Sequence, residues 1–186
     1  GEEGEGKWQS ANPGVKGMFP YWGDVRRFGI KDNDIFLPAP YNTADTSVRS
    51  VIYAQAREVY NRTQDLLRNP NSEDAWIAQF WSDDRVGLTF SPASRFFAIV
   101  NQLYDIDNSN LEKVVTTNAM LGLSLNDAAV ACWKNKYRYN VERPISYIRK
   151  TFDPNWNLPW LPSTPAFPAY PSGHSTFGFA AATIFT

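Results

Sequence analysis

The segment NLEKVVTTNAMLGLSLNDAAVACWKNKYRY, residues 110–139, decides the fold that this sequence predicts. It is rich in Ala, Leu and Met, and the part from Val114 to Trp133 carries almost no charge. Because a helix that is apolar on most sides is buried, we expect this helix in the middle of a helical bundle. The sequence has no internal repeat and no convincing strand, so the fold class that we predict is all-α.

Shorter helices are predicted on the N-terminal side of this segment. Apolar residues recur at helical spacing over residues 45–67, and further helices follow Ser72 and the pair Ser91-Pro92, a capping hydroxyl before a proline. Residues 1–44 are instead rich in Gly, Pro, Asn and aromatic residues without a period. We therefore predict an irregular N-terminal arm over residues 1–44 and a helical-bundle domain over residues 45–186.

The composition is that of an ordinary globular chain. With 186 residues, 43% hydrophobic and 20% charged, it is long enough for one domain with a core. The net charge of −1 argues against a nucleic-acid partner, and the lack of a run of 18 apolar residues argues against a membrane span. Cys132 lies in an apolar helical stretch, where we expect a buried thiol.

The C-terminal third of the chain changes character twice. Residues 152–170 contain five prolines, which exclude a helix, and a loop of this length in a compact domain is usually functional. Residues 177–186 then have a helical pattern with no stop signal behind it. We expect that the C-terminal part of the domain is missing from this sequence.

The first candidate binding element consists of Lys136 and Arg143. A separation of seven residues is close to two helical turns, so both cations are expected to point the same way near the end of the long helix. Pro144 is expected to push Arg143 out of helical geometry. Arg offers a planar fork for two oxygens and Lys a compact charge. The alternative is a solvated cationic helix end that complements the helix dipole.

The second candidate element is Pro171-Ser172-Gly173-His174, which contains the one histidine of the sequence. Ser172 is placed to cap the last helix, and Gly173 allows a ligand to approach the backbone. The first turn of a helix exposes N–H groups and a positive dipole end, which suit an anion, and a neighbouring imidazole can exchange protons near neutral pH. The alternative is a capping histidine in a turn.

Together the two elements resemble a known pattern. Lys136, six residues, Arg143-Pro144, 26 residues and then Pro171-Ser172-Gly173-His174 is similar to the first two signature blocks of one superfamily. That superfamily unites type-2 phosphatidic acid phosphatases, bacterial acid phosphatases and vanadium-dependent haloperoxidases, and the resemblance implies its helical-bundle fold. The third block, an Arg followed by a second His, has no match in this sequence.

Several details resemble the haloperoxidase branch in particular. Trp133 lies three residues before Lys136, and the run TPAFPAY, residues 164–170, precedes the second block. The long region ahead of the motifs is unlike the membrane lipid phosphatases, which need spanning helices. The resemblance thus implies that residues 45–186 are a haloperoxidase catalytic domain with vanadate as its cofactor.

The resemblance also assigns roles to the residues of both blocks. Lys136 and Arg143 would neutralise the charge of vanadate oxygens, and Ser172 Oγ and the Gly173 N–H would bind another oxygen. His174 would contact the axial oxygen and act as acid and base. The vanadate-ligating histidine of the family is not present in this chain.

The activity that the resemblance implies is oxidation of halide with hydrogen peroxide to a hypohalous species. Trp133 and Phe167 would then form walls of the halide pocket. The same site could instead belong to an acid phosphatase that acts through a phosphohistidine, or to a helical module without activity. Family habit implies a periplasmic or secreted enzyme, and without the missing C-terminal segment we expect this fragment to be inactive. The halide and the oligomeric state stay open.

Overall fold

Six helices form the secondary structure of the part of the chain that this computed structural model describes, residues 3–11, 14–32, 35–82, 89–159 and 164–186. Within these residues the β-structure amounts to an isolated bridge between Lys7 and Val141, which confirms the all-α prediction. A short 3-10 helix, Trp22–Asp24, precedes the six helices, which are α1 (Val51–Arg68), α2 (Glu73–Phe80), α3 (Pro92–Asp107), α4 (Leu111–Tyr139), α5 (Pro144–Thr151) and α6 (Gly173–Phe185).

Serine caps set the starts of the first three helices. The starts of α2 after Ser72 and of α3 after Ser91 are confirmed, because each serine hydroxyl accepts a backbone N–H of the first turn. The predicted start of α1 at residue 45 is wrong. Ser50 Oγ accepts the N–H of Tyr53 at 3.1 Å and so begins the helix later. Asp45 instead forms a local turn, in which its carboxylate accepts the N–H of Ser47 at 2.8 Å.

Helix α5 was not predicted, and it changes the setting of Arg143. Helix α4 ends at Tyr139, and Asn140 adopts a left-handed conformation with φ of 46°. Arg143 is extended, with φ of −84° and ψ of 152°, and Pro144 is the first residue of α5. The effect of Pro144 on Arg143 is thus confirmed. The helical spacing from which we expected both cations to point the same way is wrong, because the helix ends between them.

The long helix α4 is buried over part of its length. Leu111 and Val115 near its start are exposed, and continuous burial is found from Leu121 to Lys136 on one side of the helix. Cys132 is buried, as predicted. Among the described residues, no helix has both the length and the apolar character needed to cross a membrane.

The chain divides into two compact units. The first unit comprises Gly1–Pro20, Leu37–Ser82 and Lys136–Tyr170, and the second comprises Tyr21–Phe36, Asp83–Asn135 and Pro171–Thr186. In the first unit α1 packs against α5. The core between these helices is formed by Ala56, Ile145, Tyr147, Ile148 and Trp156.

In the second unit α3 packs against α6. Gly178 of α6 faces Phe96 of α3, and a Cβ added at this glycine would meet the Phe96 ring at 3.6 Å, an ordinary contact distance. Most of the buried apolar residues described in this unit lie on α3, α4 and α6, among them Phe96, Val100, Leu121, Leu125, Ala129, Val130, Phe177 and Ala181. Part of α6 is not covered, since Phe179 is 78% exposed.

The segment around the 3-10 helix packs closely on α4 within the second unit. An added Cβ at Gly23 would lie 2.7 Å from the Lys134 backbone, so this close approach requires glycine. Asp24 accepts an ion-pair contact from Lys134 at 2.5 Å. The ring of Trp22 packs on that of Trp133, with a centroid separation of 4.5 Å.

A carboxylate on α4 fixes the chain that follows this segment. Asp127 accepts the backbone N–H groups of Phe28, Gly29 and Ile30 at 2.8, 2.6 and 3.0 Å. Burial acts to raise the pKa of Asp127, but these three N–H donors and the Asn126 amide outweigh it and hold the pKa below the ordinary value. The charged carboxylate therefore stabilises the second unit.

Replacing Asp127 by Asn should destabilise the protein, because an amide has one acceptor oxygen where three N–H groups need acceptors. We expect a loss of about 1–3 kcal/mol in the free energy of unfolding, measured by urea denaturation at neutral pH. The matched control is Asp105→Asn at an exposed position of α3. Equal losses in both variants would contradict the role of Asp127.

The lowered pKa also predicts a pH dependence. The contribution of Asp127 is complete above the pKa of an unfolded Asp, about 3.9, and is lost as the pH falls through the lower folded value. Unfolding curves recorded between about pH 5 and pH 2 should therefore show a steeper loss of stability for the wild type than for Asp127→Asn. Parallel curves would contradict this expectation.

Candidate functional site

The ammonium group of Lys136 is buried and bound by backbone carbonyls. The residue lies in the last turn of α4 and is 1% exposed. Its Nζ donates hydrogen bonds to the carbonyl oxygens of Pro168 at 2.8 Å and of Ala169 at 3.2 Å. A solvated helix end, the alternative interpretation, therefore does not describe Lys136. A buried ammonium has to be balanced by polar partners, and the loop supplies them.

Arg143 reaches the same loop from the start of α5. Its Nη1 donates to the carbonyl oxygen of Phe167 at 3.1 Å, and its Cζ lies 5.2 Å from the centre of the Phe167 ring. The Nζ of Lys136 lies 4.9 Å from the same ring centre. Lys136 at the end of α4 and Arg143 just before α5 thus converge on one short segment, residues 167–169. The first unit brings together Lys136, Arg143 and Phe167.

Hydrogen bonds from two directions hold this loop in place. The N–H of Ala169 donates to the carbonyl of Val141 at 3.0 Å, which ties the loop to the connection between α4 and α5. The N–H of Met18, in the N-terminal arm, donates to Ala166 at 2.7 Å. The arm also reaches the α4–α5 connection, where the N–H of Trp8 donates to Asn140 at 2.7 Å. The irregular arm thereby supports the backbone next to both cations.

The acidic residue beside Arg143 is paired with another cation. Burial raises the pKa of Glu142 above its ordinary value, although a hydrogen bond from Lys150 acts to lower it. The Lys150 Nζ lies 3.1 Å from Glu142 Oε1. Lys150, which lies on α5, therefore offsets the charge of the Glu142 carboxylate next to the guanidinium of Arg143.

The second block forms the start of α6 in the second unit. Ser172 is the N-cap, as predicted, and its Oγ accepts the N–H of Ser175 at 3.2 Å. Gly173 and His174 are the first two residues of the helix. Their N–H groups belong to the first turn, where a helix has no acceptor of its own. Ser172 is exposed and His174 half-buried.

Trp133 lies beneath this helix start. A Cβ added to Gly173 would meet the Trp133 ring at 3.6 Å and Phe177 at 4.0 Å, which are ordinary contact distances. The ring of Trp133 is buried and lies 6.2 Å from that of Phe177. Trp133 therefore belongs with Ser172, Gly173 and His174 in the second unit, while Phe167 belongs with the two cations in the first.

The donors of each block, taken by itself, suit an oxyanion. The first block offers an ammonium and a guanidinium, which form strong charge-assisted hydrogen bonds to anionic oxygens. The second offers a helix N-terminus and the Ser172 hydroxyl, which accepts through its oxygen in the cap and retains a proton to donate. Vanadate and phosphate have the charge and the acceptor oxygens that these donors require.

Two features of the site were not found from the sequence. The carbonyl groups of Pro168 and Ala169 hold Lys136, but the direction of a carbonyl in an irregular loop leaves no mark on residue types. The packing of Trp22 on Trp133 joins residues that are far apart in the chain. The aromatic residues of the arm indicate that its rings pack on the helices, but not which ring meets which.

Comparisons with known proteins find similarity to vanadium haloperoxidases in both sequence and structure. The family described as "VCPO second helical-bundle domain" matches residues 116–156, which include Trp133, Lys136 and Arg143. The vanadium chloroperoxidase of Curvularia inaequalis is 28% identical over 87% of this chain. The crystal structure described as the first bacterial vanadium-dependent iodoperoxidase superimposes with a TM-score of 0.85 and 29% identity over 99% of this chain.

Both of these proteins are longer than this chain. It spans 31% of the length of the chloroperoxidase and 46% of that of the iodoperoxidase chain. The structural match extends over nearly all described elements and is accompanied by sequence identity of the same size as that to the chloroperoxidase. In both sequence and fold, this chain is similar to these two vanadium-dependent haloperoxidases.

Proposed function

We propose that the protein is a vanadate-dependent haloperoxidase that oxidises halide with hydrogen peroxide to a hypohalous species. The observation that carries the proposal is the convergence of Lys136, at the end of α4, and Arg143, just before α5, on residues 167–169. The similarity to a chloroperoxidase and an iodoperoxidase supports the same reaction class.

The oxyanion would be bound both by charged side chains and by backbone and hydroxyl donors. Lys136 and Arg143 would neutralise its oxygens, and Ser172 Oγ and the Gly173 N–H would hydrogen-bond to another oxygen. Donors fixed in advance stabilise charge with little reorganisation, which is why buried and hydrogen-bonded cations suit this task. When bound, vanadate supplies a Lewis acid that activates hydrogen peroxide towards halide.

His174 would handle the protons of the reaction. The imidazole at the start of α6 would take up a proton from hydrogen peroxide at a ring nitrogen and later release it. Trp133 and Phe167 would border the halide site. The sequence holds one histidine, so a second histidine of the family motif would have to come from residues outside it. A periplasmic or secreted location stays a prediction.

The reaction class can be tested directly on the full-length gene product. We expect halide oxidation with hydrogen peroxide that depends on added vanadate and is suppressed by phosphate, because both anions need the same donors. The assay should follow halide oxidation and phosphomonoester hydrolysis in parallel. Hydrolysis that vanadate inhibits, without any halide oxidation, would favour the phosphohistidine phosphatase instead.

Replacing His174 by Ala should separate turnover from binding. We expect turnover to fall by about a hundredfold to ten-thousandfold, as for the loss of a general acid or base, while vanadate affinity stays within several-fold. Turnover is measured by halide oxidation and affinity by calorimetric titration. Retained turnover would contradict the role of His174 as acid and base.

Replacing either cation should weaken binding first. For Lys136→Met and Arg143→Gln we expect vanadate affinity to fall by about tenfold to a hundredfold, the value of a charge-assisted hydrogen bond. Arg149→Gln is a matched control, because Arg149 lies on α5 and donates to Trp156 at 2.8 Å. Thermal melts of all variants separate loss of binding from loss of folding. Unchanged affinity in both cation variants would contradict the proposed site.

A further inference from the structure

Lys136 and Arg143 share a contact with the aromatic ring of Phe167. The Nζ of Lys136 lies 4.9 Å from the ring centre and the Cζ of Arg143 lies 5.2 Å from it. Both distances fall within the range in which a cation is attracted by the ring face. The backbone carbonyl of Phe167 also accepts a hydrogen bond from Arg143. Phe167 therefore contacts both cations through its ring, and Arg143 through its carbonyl as well.

Two like charges held near one ring repel each other, so something has to oppose their separation. The face of an aromatic ring carries negative electrostatic potential, and the carbonyls of residues 167–169 present their negative ends to the same cations. Lys136 is 1% exposed, so water weakens its attraction to the ring far less than at a surface. The ring is a source of cation stabilisation that a substitution can remove without altering the backbone.

We propose that Phe167 is a positioning residue, whose ring holds the ammonium of Lys136 and the guanidinium of Arg143 in the orientation in which both bind one oxyanion. A contact with a ring face depends on the charge of the cation and needs no acceptor atom in a fixed direction. This role rests on the proposed function for the oxyanion, but the ring contacts stand without it. Holding the two cations is a different role for Phe167 from forming a wall of the halide pocket.

Fluorination of the ring tests this role with almost no change of shape. Fluorine withdraws electron density from the ring face, so one, two and three fluorines on Phe167 should weaken cation binding stepwise. In the full-length protein we expect the calorimetric Kd for inorganic vanadate to rise with each fluorine. The total rise should be about threefold to thirtyfold, as should that of Phe167→Leu.

The matched control is the same fluorination series at Phe28. Its ring lies beneath Arg26, with a Cζ-to-centre distance of 5.3 Å, but it is remote in sequence from both motif blocks. Fluorination there should leave the Kd for vanadate unchanged. A second readout follows Arg143 itself, by side-chain ¹⁵N relaxation of arginine-labelled protein. The guanidinium should become more mobile as fluorines are added to Phe167.

The outcomes separate this role from the proposed function. If vanadate binds to the wild type and its Kd does not change across the Phe167 series, the positioning role is wrong and the proposed function stands. If the wild type does not bind vanadate, the proposed function fails and the relaxation data decide. Stepwise mobility of Arg143 then supports the positioning role, and constant mobility overturns it.

Discussion

The burial of one charge, the ammonium of Lys136, constrains the first unit. A buried ammonium needs polar partners, and here two carbonyls and an aromatic ring of residues 167–169 provide them. That requirement fixes residues 167–169, which have no regular structure, against the end of α4. Arg143, just before α5, then uses the same loop. Charge burial thus explains why a loop without regular structure has a defined position.

In the second unit, side-chain packing supports the start of α6. Ser172 caps α6, Trp133 packs beneath Gly173, and Trp22 packs on Trp133 in turn. Aromatic packing below the helix start supports the backbone N–H groups of its first turn. Residues of the N-terminal arm contribute to each unit. In the first, the N–H groups of Met18 and Trp8 donate to backbone carbonyls. In the second, the N–H of Phe28 donates to Asp127.

The sequence predicted the fold where local signals are strong. Serine caps and apolar periodicity located α2, α3, α4 and α6, because these signals act within a few residues. Helix α5 was missed although Pro144 is a typical first residue. The helical spacing that we assumed between Lys136 and Arg143 is wrong. The helix ends at Tyr139, and the left-handed residue that follows is Asn140 and not a glycine. That both cations meet Phe167 depends on tertiary packing, which no spacing in the sequence reveals.

If the two cations and the start of α6 bind one tetrahedral oxyanion, as we propose, crystals of the full-length protein soaked in tungstate should show it. Tungstate is tetrahedral and scatters anomalously, so its position can be located without assumptions about the site. We expect an anomalous peak within hydrogen-bonding distance of Lys136, Arg143 and the first-turn N–H groups of α6. A peak bound elsewhere, or none at saturating tungstate, would contradict it.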